Sequence, residues 1–172
     1  MRTITALFVG LGSIGTRHLK NLTNLCADRG WTLQADALRS DLSRPLRDGV
    51  AALLHAQYTD LADAPAHYDM VFITNPTSLH ADALTRVRGR GGALFIEKPI
   101  FSAEQTGLDL GDCLPAGQKA YVAAPMRWCG VMLALKDRLP GLHPYCARVI
   151  CSSYLPDWRP GVDYRTVYSA HK

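Results

Sequence analysis

The apolar run Leu7-Phe8-Val9 ends directly in Gly10-Leu11-Gly12-Ser13-Ile14-Gly15, and an amphipathic stretch from Ser13 to Ala27 follows without a linker. Few short patterns restrict a chain so strongly. A buried strand must turn on a glycine and enter a helix at once, which is how open, mostly parallel α/β sheets begin. Gly10 allows the tight turn, Gly12 lets backbone approach a pyrophosphate with no Cβ in the way, and Gly15 lets the helix pack close to the sheet. The first helical residues, Ser13 and Ile14, bring free N–H groups and a partial positive charge to the same place. A β-branched replacement at Gly12 would fill that space and resist any positive φ there. Methyl-donor sites can share this glycine spacing, but the strand before it and the helix after it favour a dinucleotide.

Other readings of the N-terminus fail on the same residues. Met1-Arg2 followed by Ile4 to Gly15 imitates a secretory signal, yet three glycines break the apolar part and Thr16-Arg17-His18 is no cleavage site. No segment approaches the roughly 18 consecutive apolar residues of a membrane span. Five cysteines, Cys26, Cys113, Cys129, Cys146 and Cys151, form no C-x-x-C pair and read as reduced thiols of a cytoplasmic protein. The six histidines show no ligand spacing, so no metal site is expected. At 172 residues, 48% hydrophobic and with a net charge of +4, the chain has enough material for one good core but not for two full domains. The basic cluster Arg86-Val87-Arg88-Gly89-Arg90 reads as the solvated end of a helix, not as a nucleic-acid surface.

Strand and helix patterns alternate along the chain, which predicts a doubly wound parallel sheet. Strands are expected at Thr3 to Val9, Thr32 to Leu38, Ala56 to Thr59, Tyr68 to Thr74, Ala93 to Glu97 and Lys119 to Ala124. Between them lie a helix from Ser13, a short one around Val50 to Leu54, and one capped by Thr77 or Ser78 that reaches Val87 and ends in Gly89 to Gly92. Further helices are expected from Ser102 to Cys113 and from Val131 to Leu139. Pro140-Gly141 and His143-Pro144 then interrupt the pattern, and Ala147 to Tyr154 reads as a new strand. Residues 1–144 therefore form one dinucleotide-binding α/β domain, and 145–172 begin a second, α+β domain. The edge of that last strand, with Tyr154, Trp158, Tyr164 and Tyr168 near it, would invite homo-oligomers.

Three segments fall where strands of such a sheet end: Gly10 to Gly15, Thr74-Asn75-Pro76-Thr77-Ser78-Leu79-His80, and Glu97-Lys98-Pro99. Together they resemble the glucose-fructose oxidoreductase / inositol 2-dehydrogenase family (Gfo/Idh/MocA-like) of NAD(P)-dependent oxidoreductases, over nearly the whole chain. The resemblance implies a Rossmann fold and hydride transfer between a nicotinamide and a hydroxyl-bearing carbon of a sugar, nucleotide sugar or cyclitol. It implies Lys98 as the catalytic residue, polarising the reacting carbonyl, and a cis Lys98-Pro99 bond. The cofactor residues would be Gly10, Gly12, Ser13, Ile14, Gly15, Arg39, Ser40, Thr74, Asn75, Pro76, His80, Glu97 and Lys98. Glu97 is expected to pair or shape its turn. His80 is expected to be a packed, hydrogen-bonded ring.

Ser40 stands where the resemblance puts an acid that would hold the ribose, and Arg39 precedes it. An arginine and a hydroxyl suit a 2′-phosphate, so NADP is expected, with NAD possible; Asp36 is the rival acid. The segment from Ser152 through Arg159-Pro160 to Tyr168-Ser169-Ala170 resembles the opening of the family's substrate domain. An aspartate and histidine follow there in complete members, and His171 stands in the wrong context to replace that histidine. This chain alone is therefore expected to bind cofactor without turnover. A non-catalytic NAD(P)-binding or sensing module is the other reading.

Overall fold

The computed structural model describes residues 1–47, 49–150, 152, 154–158 and 161–166. These fall into two compact units, Met1–Ala123 and Ala124–Lys172. Asp48, Cys151, Ser153, Arg159-Pro160 and residues 167–172, His171 among them, lie outside the described residues.

In the first unit, β1 (Thr3–Val9), β2 (Thr32–Leu38), β3 (Ala56–Tyr58), β4 (Tyr68–Ile73), β5 (Gly91–Ile96) and β6 (Lys119–Val122) form one sheet in the order β3-β2-β1-β4-β5-β6. Every ladder is parallel. This is the doubly wound Rossmann arrangement, with the order reversing on either side of β1. Both faces of the sheet are covered, and β1 shows why its residues are apolar at almost every position. Ile4, Ala6 and Phe8 pack with Leu19, Leu22 and Cys26 of α1 (Ser13–Asp28). Leu7 and Val9 face the other way, against Ala83 and Leu84 of α2 (His80–Arg86).

Two carboxylates tie neighbouring strands together, Asp36 from a buried position and Asp69 from an exposed one. Asp36, in the middle of β2, accepts a 2.9 Å hydrogen bond from Tyr68 Oη and lies 3.1 Å from His55 Nδ1. Asp69 in β4 accepts from Thr5 N–H at 2.8 Å and from the Thr5 hydroxyl at 3.0 Å.

Several expected elements differ. The helix expected over Ser102 to Cys113 shrinks to α3 (Leu110–Cys113), because Gly107 adopts φ +87° and Gln105 Oε1 folds back onto the Ser102 N–H. Neither Thr77 nor Ser78 caps α2; both sit in a 3-10 turn, Thr77–Leu79, that precedes it. Gly91 and Gly92 open β5 instead of ending the helix, since a Cβ on Gly91 would meet the Val71 side chain at 2.9 Å.

The second unit holds a 3-10 turn at Pro125–Trp128, α4 (Gly130–Arg138) and short turns at Leu139–Gly141 and Tyr164–Thr166, with α5 (Leu155–Trp158) between the last two. The strand expected over Ala147 to Tyr154 does not form among the described residues, which are exposed and have no neighbouring strand to pair with. No helix among the described residues is long and apolar enough to cross a membrane.

Candidate cofactor site

At the C-terminal end of β1 the chain turns on Gly10, whose φ is +90°. A Cβ there would lie 2.8 Å from Asn75 Cα, so glycine is required twice, by conformation and by space. The Gly10 N–H donates to Leu38 O at 3.0 Å, tying the turn to the end of β2. Gly15 is constrained differently. Its missing Cβ would run into Gly10 O and come within 2.7 Å of Thr74 Oγ1. Thr74 is buried and donates its hydroxyl to Gly10 O at 2.6 Å, which pins the tip of β4 against the turn.

Gly12 is the N-cap of α1 with φ −68°, a backbone that any residue could adopt. A Cβ on Gly12 would meet nothing within 4 Å, so the space over this glycine is open. The helix end has no side-chain cap and no acid in its first turn. Thr16 is the first residue whose N–H reaches a carbonyl of the helix, Gly12 O, at 3.0 Å. Ser13 is exposed and Ile14 half-buried beside this open end, where N–H groups suit an anion.

Beside the turn lies a cleft of about 200 Å³. Of the expected residues it brings together Gly10, Arg39, Ser40, Asn75 and Pro76, with Leu38, Leu61 and Leu79 as apolar walls. It does not reach Gly12, Ser13, Ile14, Gly15, Thr74, His80, Glu97 or Lys98. Asp36 is not in its lining either, because the carboxylate is turned into the sheet toward Tyr68 and His55. The Asp36 carboxylate is thereby engaged within the protein. Burial, then the Asp36 carboxylate, push the Tyr68 phenol far above its ordinary range, so the hydroxyl remains a donor.

Arg39 leaves β2 with its N–H on Tyr58 O at 2.9 Å. Its Nη1 donates to Gln57 Oε1 at 2.8 Å and its Nη2 to Arg44 O. Asp41 closes the following turn by accepting from Ser43, and the Ser43 hydroxyl and N–H hold its carboxyl below the usual carboxylate range.

The tip of β5 is organised by two histidines. His80 is buried, with Nε2 2.9 Å from Asn75 O and Nδ1 3.0 Å from Ile100 O. It braces the loop after β4 against the loop after β5. Glu97 Oε1 lies 2.6 Å from His18 Nε2, and its other oxygen accepts the Lys98 N–H at 3.1 Å. The expectation of a pairing role for Glu97 finds its partner here. His18 was not among the expected site residues, although it neighbours Leu19 and Leu22 on the buried side of α1 and stacks edge-on against Phe95 at 4.8 Å. A polar ring placed there by helical periodicity needs a partner, and that was the available signal. Lys98 is exposed, and among the described residues its ammonium has no partner; the Lys98-Pro99 bond is cis.

These features fit the nucleotide cofactor that the fold implies. The Gly12 surface is open, the helix end is uncapped, and Asn75 Oδ1 is buried beside the cleft with no hydrogen-bond partner. A hydroxyl donor from a ligand would satisfy that atom.

A family model described as an oxidoreductase family with an NAD-binding Rossmann fold matches residues 4–121. The chain is 30% identical over 93 residues to a scyllo-inositol 2-dehydrogenase (NAD(+)) of Bacillus subtilis (strain 168), across 54% of this chain and 27% of that protein. Among solved structures it is similar to the WlbA dehydrogenase from Chromobacterium violaceum in complex with NADH and UDP-GlcNAcA, with TM-score 0.65 and 23% identity over 82% of this chain and 41% of that one. It is also similar to scyllo-inositol dehydrogenase from Lactobacillus casei with bound NAD(H) and scyllo-inositol, with TM-score 0.62 and 23% identity over 81% and 42% of the two chains. At these identities the structural likenesses bear on the fold alone. The chain spans 27% of the curated relative it matches and 41–42% of these two solved chains.

Proposed function

The chain belongs to the Gfo/Idh/MocA oxidoreductase family with an NAD-binding Rossmann fold, and from that premise we propose that it forms the cofactor half of an enzyme moving hydride to or from a hydroxyl-bearing carbon of a sugar, nucleotide sugar or cyclitol. The observation that carries this reading is the convergence of the Gly10 turn, the Asn75-Pro76 loop and the Glu97-Lys98 tip at one edge of the sheet, braced together by Thr74 and His80. On this reading the N–H groups at the start of α1 hold the pyrophosphate, and Asn75 Oδ1 accepts a ribose hydroxyl. A bound nicotinamide supplies the hydride acceptor or donor. Lys98 Nζ donates to the substrate oxygen and stabilises charge as a carbonyl forms or is reduced. Glu97, anchored by His18, holds the Lys98 backbone, so the ammonium starts from a fixed tip. Proton transfer needs a further group within reach of the substrate hydroxyl, and among the described residues none is paired with Lys98. Residues 145–172 would begin the domain that supplies it.

NADP is the preferred cofactor on the same reading, because Arg39 and Ser40 line the nucleoside end of the cleft while Asp36 is engaged elsewhere. Free thiols at Cys26, Cys113, Cys129 and Cys146 support a reducing, cytoplasmic setting. Titration of the 172-residue chain with NADPH and NADH, followed by nicotinamide fluorescence, is the test. Binding of both, tighter for NADPH and weakened for NADPH by Arg39→Ala, is expected. No binding of either would overturn the cofactor assignment, and equal affinities would overturn the NADP preference.

A further inference from the structure

We propose that Gln57, on the edge strand β3, is a positioning residue for cofactor choice, acting through Arg39; the inference rests on the placement of a 2′-phosphate at Arg39 proposed above. A guanidinium carries five N–H donors in a rigid plane. Here one Nη1 hydrogen bond goes to Gln57 Oε1 at 2.8 Å and one from Nη2 goes to Arg44 O. Nε and the second hydrogen on each Nη have no protein acceptor among the described residues, and Arg39 lines the cleft.

The group is thus held by part of its donor set and presents the rest. Gln57 is itself fixed, since β3 pairs with β2 through Gln57 and Ala37, and the Arg39 N–H extends that ladder to Tyr58 O at 2.9 Å. Asp41 on the same turn makes no hydrogen bond to Arg39, since its Oδ1 is taken by Ser43 and its Oδ2 lies 3.4 Å from Arg44 Nε, but its charge is felt by the guanidinium. A free arginine loses much rotamer freedom when it grips an anion; one already held by Gln57 has lost it on folding. Gln57 therefore favours the phosphorylated cofactor without touching it, and contributes nothing to binding of the unphosphorylated one.

The test measures dissociation constants of the 172-residue chain for NADP+, NAD+ and 2′,5′-ADP in wild type, Gln57→Leu, Arg39→Ala and the double variant, with circular dichroism to check folding. Gln57→Leu should weaken NADP+ and 2′,5′-ADP about three- to tenfold, the equivalent of immobilising one rotamer-rich side chain, and leave NAD+ unchanged. In the Arg39→Ala background the same substitution should have no further effect on NADP+. Equal weakening of NADP+ and NAD+, or persistence of the Gln57 effect without Arg39, would overturn the positioning role. If Arg39→Ala weakens NADP+ and Gln57→Leu does not, the inference falls while the phosphate placement stands. If Arg39→Ala leaves NADP+ affinity intact, that placement falls and takes the inference with it.

Discussion

Replacing Gly15 by alanine sets two effects of opposite sign against each other. Alanine is the better helix former, worth about 0.8–1.0 kcal/mol over glycine in a helix interior. Against it, the new Cβ would collide with Gly10 O and sit 2.7 Å from Thr74 Oγ1. Gly10 O belongs to a turn that Leu38 and Thr74 hold from two sides, so the helix must move instead. Overpacking of this kind costs about 1–3 kcal/mol. Loss of the 2.6 Å Thr74 hydroxyl bond adds about 0.5–1.5 kcal/mol. The collision wins, and Gly15→Ala should destabilise the chain by roughly 1–3 kcal/mol net, read as a lower urea midpoint by circular dichroism at unchanged slope. Gly12→Ala is the internal control, because its Cβ meets nothing within 4 Å, and its midpoint should barely move. A Gly15→Ala protein as stable as wild type would refute the claim that close approach of α1 to the β1 turn dictates this glycine.

Tyr68→Phe removes the 2.9 Å donor to the buried Asp36 carboxylate and should cost about 1–3 kcal/mol in urea unfolding. Because the folded phenol is raised, its stabilisation is intact below the ordinary phenol value near 10 and is lost as pH rises beyond it, so the phenylalanine variant should lose that alkaline dependence. Asp69 behaves oppositely: the Thr5 N–H and hydroxyl hold its carboxyl below the usual range, so its contribution is present above about pH 4 and fades as pH falls. Asp69→Asn should flatten the acid limb, and an unchanged limb would show that Thr5 contributes nothing there. Gly12→Val should abolish cofactor binding with folding preserved, since its branches fill the open space over α1; retained binding in a fluorescence titration would remove the phosphates from that helix end.

The sheet was legible because its strands are buried on both faces, leaving near-continuous apolar runs such as Met70 to Ile73. The glycine turn was legible for a similar reason, as Gly10 and Gly15 answer to hard backbone contacts. Where periodicity misled, a local competitor decided the matter. Gly107 at positive φ outweighed the apolar spacing across Ser102 to Cys113, and the run from Ala147 has no strand to pair with among the described residues. The site's bracing was least visible. His18 meets Glu97 across 79 positions and Tyr68 meets Asp36 across 32, so only a polar residue on a buried face hinted that each needed a partner.

The central strand also sets a schedule. β1 is flanked by β2 and β4, and its register with β4 joins Ala6–Val9 to Met70–Ile73. No ladder in this sheet is a hairpin, so each awaits a crossover before it can close. During synthesis at about 5–20 residues per second, β1 waits roughly 3–13 s for its second neighbour to be made. Until then one flank of β1 has unpaired N–H and C=O groups, and Leu7 and Val9 stay without cover from α2 until residue 86 has been made. The nascent chain is therefore most vulnerable to aggregation before residue 86 emerges, and a chaperone would act in that interval.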